Sequence, residues 1–205
     1  MISGLILAAG LGERFSAAVG GDGAGLKQLA RLSDGRSVLY ASVRNMRAAV
    51  ESVIVVVRDD PELVEHANEI VAELGGKIVV NARAAEGMAT SIGCGVDAAP
   101  DADGWLIGLG DMPCIRPHSI EKIAAALAST QGIVVPFHLQ KQQRGHPVGF
   151  GRKFADELRL LVGDGGAREL ISRHNKSVSV VELDDDGIVF DVDLPSDMLS
   201  KLDIS

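Results

Sequence analysis

Two kinds of apolar spacing alternate along this chain. Ile2 to Leu7 and Ser52-Val53-Ile54-Val55-Val56-Val57 are short apolar runs, the second almost wholly β-branched, as in strands buried on both faces of a parallel sheet. Between them Leu39, Val43, Met46 and Val50 fall at steps of four, three and four, the spacing of one helix face. Asp59 and Asp60 precede Pro61, a cap followed by proline at the first helical position, and Val64, Ala67, Val71 and Leu74 continue that helix until Gly75-Gly76 stops it. Lys77 to Val80 then reads as a strand, Thr90 to Ala98 as a helix and Gly104 to Leu109 as a strand. Ile120, Ile123 and Leu127 mark a helix to about Ser129, and Ile133 to Pro136 a further strand.

Strand and helix in repeated alternation predict an α/β fold, a doubly wound and mostly parallel sheet with helices on both faces. Beyond Pro136 the pattern loosens. Phe154, Leu158 and Leu161 mark a helix, the turn Gly163 to Arg168 opens another to about His174, and Ser177 to Leu183 is a strand. Asp184 to Gly187 reads as a tight acidic turn and Ile188 to Val192 as its hairpin partner, a small antiparallel addition at the C-terminal end. With no linker and no repeat, residues 1–205 are expected to form a single domain, and 205 residues suffice for a sizeable core.

Composition narrows the function classes. The net charge of −8 and a pI near 5.1 argue against a nucleic-acid or anionic-membrane surface, so an anionic substrate would depend on local cations and metal. No stretch approaches the ~20 apolar residues of a membrane span, and no signal peptide is visible. Cys94 and Cys114 are too few and too widely spaced for a zinc cluster or redox motif, which suggests reduced thiols and a cytoplasmic protein.

The first strand ends in Ala8-Ala9-Gly10-Leu11-Gly12-Glu13-Arg14, where little side chain keeps another molecule from the backbone. Successive exposed N–H groups in such a loop form an anion-binding concavity. Arg14 adds a fork of donors shaped for phosphate and Lys27 a movable point charge. The dinucleotide fingerprint fails because Phe15 stands where its third glycine belongs, and Gly25-Leu26-Lys27-Gln28 lacks the Gly-Lys-Ser/Thr ending of a P-loop. A nucleoside triphosphate site remains, alongside a plain strand-to-helix turn with Arg14 solvated. Residues Ser16 to Leu26, with Gly20, Gly21, Gly23 and Gly25, read as a flexible loop.

Two further places carry carboxylates at strand ends, where ligands of parallel α/β sheets gather. Asp111 follows the apolar strand in Gly110-Asp111-Met112-Pro113, a sequence equally suited to a turn. Asp191-Val192-Asp193 stops against Leu194-Pro195, and alternation puts both aspartates on one face, unless they merely cap the last helix. Mg²⁺ is commonly held by one or two protein carboxylates together with substrate phosphates, a pattern that Asp111 and Asp193 fit.

Six segments occur in the order of a known family. They are the glycine loop with Arg14 and Lys27; Asn81 with Glu86-Gly87-Met88-Ala89-Thr90-Ser91; Leu109 to Pro113; Arg144-Gly145-His146-Pro147; Gly163 to Arg168; and Asp191 to Pro195. Together they resemble the molybdenum cofactor cytidylyltransferases of the MobA-like nucleotidyltransferases, over nearly the whole chain. The resemblance implies a nucleotidyltransferase that moves CMP from CTP to the phosphate of a molybdopterin-type cofactor, with Mg²⁺ and release of pyrophosphate. It implies that Leu7, Ala8, Ala9, Gly10 and Gly12 line the nucleotide, with Arg14 and Lys27 on its phosphates. Asn81, Gly87, Met88 and Ser91 would lie near the base, and Asp111 and Asp193 would hold the metal. Arg144, His146, Asp164 and Arg168 would serve the acceptor, although Asp164 and Arg168 could equally cap the helix that follows. Ala8-Ala9-Gly10, rather than Ala-Gly-Gly, goes in that family with cytidine over guanosine. A recipient molybdoenzyme or its chaperone is an implied partner.

Two departures stand out. Twelve residues separate Arg14 from Lys27, and Phe137 to Gln143 is bulkier than the family's usual short turn. Rival readings are a MobA-like transferase using GTP or a sugar or polyol phosphate acceptor, and a non-catalytic nucleotide-binding protein of cofactor maturation. A dinucleotide-dependent oxidoreductase already suffers from the failed fingerprint.

Overall fold

The computed structural model describes residues 1–19 and 26–200. One sheet contains β1 (Ile2–Leu7), β2 (Ser52–Arg58), β3 (Lys77–Asn81), β4 (Gly104–Leu109), β5 (Ile133–His138), β6 (Gln143–Arg144), β7 (Val148–Gly151) and β8 (Val178–Leu183). Its strands lie in the order β3-β2-β1-β4-β7-β5-β8, with the two-residue β6 beside the end of β5. β1 pairs in parallel with β2 and β4, β2 with β3, and β5 with β8, whereas β7 runs antiparallel between β4 and β5. The fold is a single-domain α/β arrangement on a mostly parallel sheet, with its antiparallel strands in the C-terminal half.

The helices are α1 (Glu13–Val19), α2 (Val38–Ala49), α3 (Pro61–Leu74), α4 (Met88–Ala98), α5 (Pro117–Thr130), α6 (Ala155–Arg159), α7 (Arg168–Arg173) and α8 (Pro195–Ser200). Strand alternation divides the apolar side chains between the two faces. Ile6, Val53, Val55 and Leu106 pack with Leu39 and Met46 of α2, Leu63 and Ile70 of α3, and Ile123 and Leu127 of α5. Leu5, Ile54, Val56 and Trp105 pack on the other face with Ile92 and Val96 of α4, Leu158 of α6 and Leu170 of α7. Each such side chain, fully buried, is worth ~1.5–3 kcal/mol, which is why the β-branched runs settle in the centre of the sheet. The predicted cap is present: the Asp60 carboxylate accepts from Leu63 N–H at 3.1 Å, Pro61 opens α3, and Gly75 ends it at φ 77°. Among the described residues no helix is long and apolar enough to cross a membrane.

Two local expectations are corrected. Ser16 to Val19, expected in the flexible loop, are the end of α1, while residues 20–25 of that loop lie outside the described residues. Phe15 explains the helix: it is buried with Val38, Phe190 and Val192 and ties α1 to the C-terminal segment. The hairpin of Ile188 to Val192 does not form. β8 pairs in parallel with β5 instead, and Asp186–Val189 is a short 3-10 turn. The reason is Asp185, which is buried and accepts from Arg116 N–H at 3.0 Å, Ser119 Oγ–H at 2.6 Å and Gly187 N–H at 3.0 Å. These bonds pull the chain across the start of α5. A Cβ on Gly187 would collide with the backbone of Cys114, so only glycine permits the crossing.

Candidate nucleotide and metal site

β1 and β4 are neighbours in register, Leu7 beside Leu109, and the strand order reverses between them. Ligands of open α/β sheets lie at such switch points, off the carboxyl ends of the strands. Gly110 N–H donates to Leu7 C=O at 2.9 Å, which brings Asp111 alongside the first glycine loop. A cleft of about 640 Å³ opens here, within the roughly 300–1,000 Å³ usual for small-molecule sites.

Hydrogen bonds from neighbouring elements hold the loop. Ala8 N–H donates to Val56 C=O at 2.8 Å. The side-chain amide of Gln28 donates to Ala8 C=O and to Gly10 C=O, each at 3.2 Å. Arg58 Nη1 adds a bond of 2.7 Å to Gly10 C=O while Nη2 pairs with Asp60 at 3.2 Å. In a trans peptide the carbonyl and the following N–H point opposite ways, so the N–H groups of Ala9 and Leu11 are turned away from Gln28. Ala9, Gly10, Leu11 and Gly12 form one wall of the cleft, and space is open beside Gly10.

Lys27 stands in the short 3-10 turn Lys27–Leu29 and is only 8% exposed. Its ammonium lies 2.7 Å from Asp111 Oδ2 and 3.1 Å from Asp193 Oδ1. Burial alone would lower its pKa, but the charge and hydrogen bond of Asp111, with those of Asp193, outweigh it and hold the pKa above the ordinary lysine value. Arg14, largely in solvent, reaches Asp193 Oδ2 at 3.3 Å. The second carboxylate oxygen of Asp111, Oδ1, is buried without a hydrogen-bond partner among the described residues. An acceptor in that position loses its hydration with no return unless a cation or donor meets it.

Asp193 reaches this point because of the crossing described above. Val192 N–H donates to Asp111 C=O at 2.9 Å, and His146 N–H to Ile188 C=O at 2.8 Å. No strand runs from Phe190 to Asp193, so alternation does not set the aspartate pair; Asp193 lines the cleft. Nor does its side chain cap the last helix. Asp197 does that, accepting from the N–H groups of Asp193 at 3.0 Å and Leu194 at 2.8 Å.

The opposite wall is the start of α4: Gly87, Met88 and Ser91, with Asp164. Gly87 has φ 111°, and a Cβ there would stand 2.5 Å from Gly163 C and 2.6 Å from Asp164 Oδ1. Ala89 N–H donates to Gly163 C=O at 3.1 Å, so the 163–164 loop rests on the first turn of α4.

Of the residues expected at the site, Leu7, Ala9, Gly10, Gly12, Arg14, Lys27, Gly87, Met88, Ser91, Asp111, Asp164 and Asp193 share this cleft. Ala8 turns into the apolar core instead. Asn81 is buried behind the wall, its Nδ2 donating to Thr90 Oγ1 at 2.9 Å and Ser91 Oγ at 3.0 Å and its Oδ1 accepting from Arg83 N–H at 2.9 Å. It shapes the start of α4 rather than walling the cleft. Arg144 on β6, Arg168 at the start of α7 and half-buried His146 do not line the cleft. Burial holds His146 below the usual histidine pKa, against the pull of the Ile107 carbonyl and of Asp111. Sequence reasoning passed over Arg58 and Asp185, which build the site, and named Gln28 only as part of the Lys-Gln pair that follows the glycine loop, with no role of its own. Gln28 beside Lys27 was the one visible hint, since a buried amide needs partners.

The family description MobA-like NTP transferase domain matches residues 4–178. No curated protein matches the chain. Among solved structures, Rv0371c from Mycobacterium tuberculosis is 27% identical over 98% of this chain and 97% of its own, with a TM-score of 0.76. A structure of Rv0371c in complex with manganese is 26% identical over 100% of this chain and 99% of that one, at a TM-score of 0.75. A nucleotidyl transferase from Methanothermobacter, 24% identical over 99% and 96%, shares the fold at a TM-score of 0.80.

Proposed function

This chain belongs to the MobA-like NTP transferase family, and from that premise we propose that it transfers CMP from CTP to the phosphate of a molybdopterin-type cofactor, releasing pyrophosphate. That it is a nucleotidyltransferase follows from the family; CTP, the acceptor and Mg²⁺ are our reading. The observation that carries it is one cleft that joins a pinned glycine loop, the cations Arg14 and Lys27, and the carboxylates of Asp111 and Asp193.

In this reading the loop amides, Arg14 and Lys27 receive the triphosphate, and the base lies between Ala9 and the wall of Gly87, Met88 and Ser91. An oxygen of the acceptor phosphate attacks the α-phosphorus in line. The new P–O bond forms as the bond from the α-phosphorus to the bridging oxygen breaks, and pyrophosphate leaves with the electron pair. Such transfer depends on positioning and charge neutralisation rather than on a covalent nucleophile. A phosphate dianion needs no general base. Asp111 and Asp193 would hold a divalent cation, Mg²⁺, which supplies charge neutralisation to the triphosphate when bound. The orphaned Oδ1 of Asp111 beside a second carboxylate suits a hard cation whose remaining ligands are phosphate and water oxygens. The manganese complex of Rv0371c supports a divalent ion in this fold. A recipient molybdoenzyme or its chaperone is the proposed destination of the product.

A pyrophosphate-release screen tests the reading, with CTP, GTP, ATP and UTP each offered molybdopterin and sugar or polyol phosphates in Mg²⁺. The expected outcome is release with CTP and molybdopterin, reduced by orders of magnitude in Asp111→Asn and Asp193→Asn. Release only with GTP, or only with a polyol phosphate, would replace the substrate assignment. Nucleotide binding without release from any pair would turn the protein into a carrier.

A further inference from the structure

Lys27 reaches the carboxylate pair from a segment that leaves the first loop and returns much later: Gly10 and Gln28 are 18 positions apart. Loop-closure entropy grows slowly with length, so a long excursion is tolerable. It does not, however, decide where the returning lysine lands, and a four-carbon stem can swing widely. Something adjacent to Lys27 has to anchor the backbone.

Gln28 has the required geometry. It is 4% exposed, and its Nε2 carries two hydrogens, one for Ala8 C=O and one for Gly10 C=O, both at 3.2 Å. The turn that bears it is internally closed by Leu29 N–H to Leu26 C=O at 2.9 Å and Ala30 N–H to Lys27 C=O at 3.2 Å. Val38 N–H to Ala30 C=O at 2.9 Å continues the connection into α2. Lys27 is therefore one residue from a pair of hydrogen bonds to the glycine loop, and its ammonium falls between Asp111 and Asp193.

We propose that Gln28 is a positioning residue, a clasp that locks the returning segment onto the first loop and so delivers Lys27 to the reaction site whatever the length of chain between them. Apolar burial of its neighbours holds the turn against the core, but the amide sets its register along the loop. The catalytic consequence rests on the transferase reading above; the placement of Lys27 does not.

Two measurements test it, one of them independent of activity. Acetylation of surface amines by an N-hydroxysuccinimide ester, followed by peptide mass spectrometry, reads the exposure of Lys27, with exposed Lys122 as internal reference. In the unaltered protein Lys27 is expected to react far more slowly than Lys122. In Gln28→Met, which keeps the length and loses both donors, Lys27 is expected to react about tenfold faster through local opening, with Lys122 unchanged. Gln28→Leu provides a second variant should the first not fold. Unchanged protection of Lys27 in a folded variant overturns the proposal. In pyrophosphate release, Gln28→Met is expected to lose about 10²-fold, the scale of an ångström's misplacement. Combined with Lys27→Met, it should cost no more than Lys27→Met alone, because both act through one ammonium. Losses that multiply would mean that Gln28 acts independently of Lys27, and would equally overturn it. If the unaltered protein releases no pyrophosphate, the substrate reading fails and the acetylation comparison still decides on the clasp.

Discussion

Lys27 Nζ lies 2.7 Å from Asp111 Oδ2, with the lysine side chain 9% exposed and the aspartate 20%. Asp193 also lies within 3.1 Å, so one ammonium bridges two carboxylates that would otherwise repel each other. The same carboxylates are those proposed for the metal, so Lys27 and a divalent cation compete for one place until a triphosphate offers the lysine other oxygens.

Removing the lysine should expose that competition. Lys27→Met leaves Asp111 without its cation and Asp193 with the solvent-exposed Arg14, and breaking such a partly buried pair costs up to ~3–5 kcal/mol. The variant is expected to melt well below the parent in EDTA and to recover much of the difference in millimolar Mn²⁺. The parent, in the absence of nucleotide, should respond little to the same ion. Differential scanning fluorimetry checks this, and equal responses of the two proteins would contradict the competition.

The wall opposite the glycine loop depends on one backbone conformation. Gly87 sits at φ 111°, and a methyl there would meet Gly163 C at 2.5 Å. Gly87→Ala therefore carries both backbone strain, of order 1–3 kcal/mol, and a displaced 163–164 loop. The expected result is a lower melting temperature together with a raised KM for nucleotide. A variant with parental stability and KM would show that the loop yields at no cost.

Much of this was legible in the amino-acid order because it rests on local rules. The β-branched run of β2, the Asp60–Pro61 cap and the Gly75 stop each specify an element without help from distant residues. The glycine loop and Asp111 were legible for a related reason: both follow apolar strands directly, so their place at the carboxyl ends came with the strands. What escaped depends on long-range partners. Ile188 to Val192 has strand composition, yet Asp185 finds two donors at the start of α5, Arg116 N–H and Ser119 Oγ–H, and carries the segment across the sheet end. Asp193 was singled out for a reason that does not operate, strand alternation; a backbone bond from Val192 to Asp111 brings it to the cleft. Gln28 and Arg58 are ordinary polar residues in sequence, and only the fold shows which carbonyls they meet.

His146 gives a dependence on pH whose sign is determined. Burial holds its folded pKa below the usual value, so as pH falls the unfolded chain takes up the proton first. Its contribution to stability is complete above the unfolded pKa of about 6.5 and is lost as pH falls through the folded value. Urea unfolding from pH 7.5 down to 5 should show a loss of stability that is smaller in His146→Gln, while above pH 7 the two proteins should run parallel. Identical acid slopes would mean that the imidazole protonates as readily in the fold as outside it.

In the proposed CTP reading, base selectivity turns on a single methyl, that of Ala9. Ala9 is 5% exposed and stands in the cleft wall, between the Ala8 that faces the core and the open flank of Gly10. A pyrimidine leaves room for that methyl, whereas the second ring of a purine in the same plane would press on it. Exclusion by one methyl is worth ~1–3 kcal/mol, or about 10- to 200-fold in kcat/KM. Gln28 and Arg58 pin the carbonyls of this loop, so the wall cannot simply retreat before a larger base. Ala9→Gly should therefore raise kcat/KM for GTP by at least tenfold while changing that for CTP little, giving a partial shift rather than a reversal. Pyrophosphate release measured with each nucleotide separately, at concentrations below KM, gives the two values of kcat/KM and their ratio. An unchanged ratio would move selectivity to the other wall, where Gly87, Met88 and Ser91 face the same space.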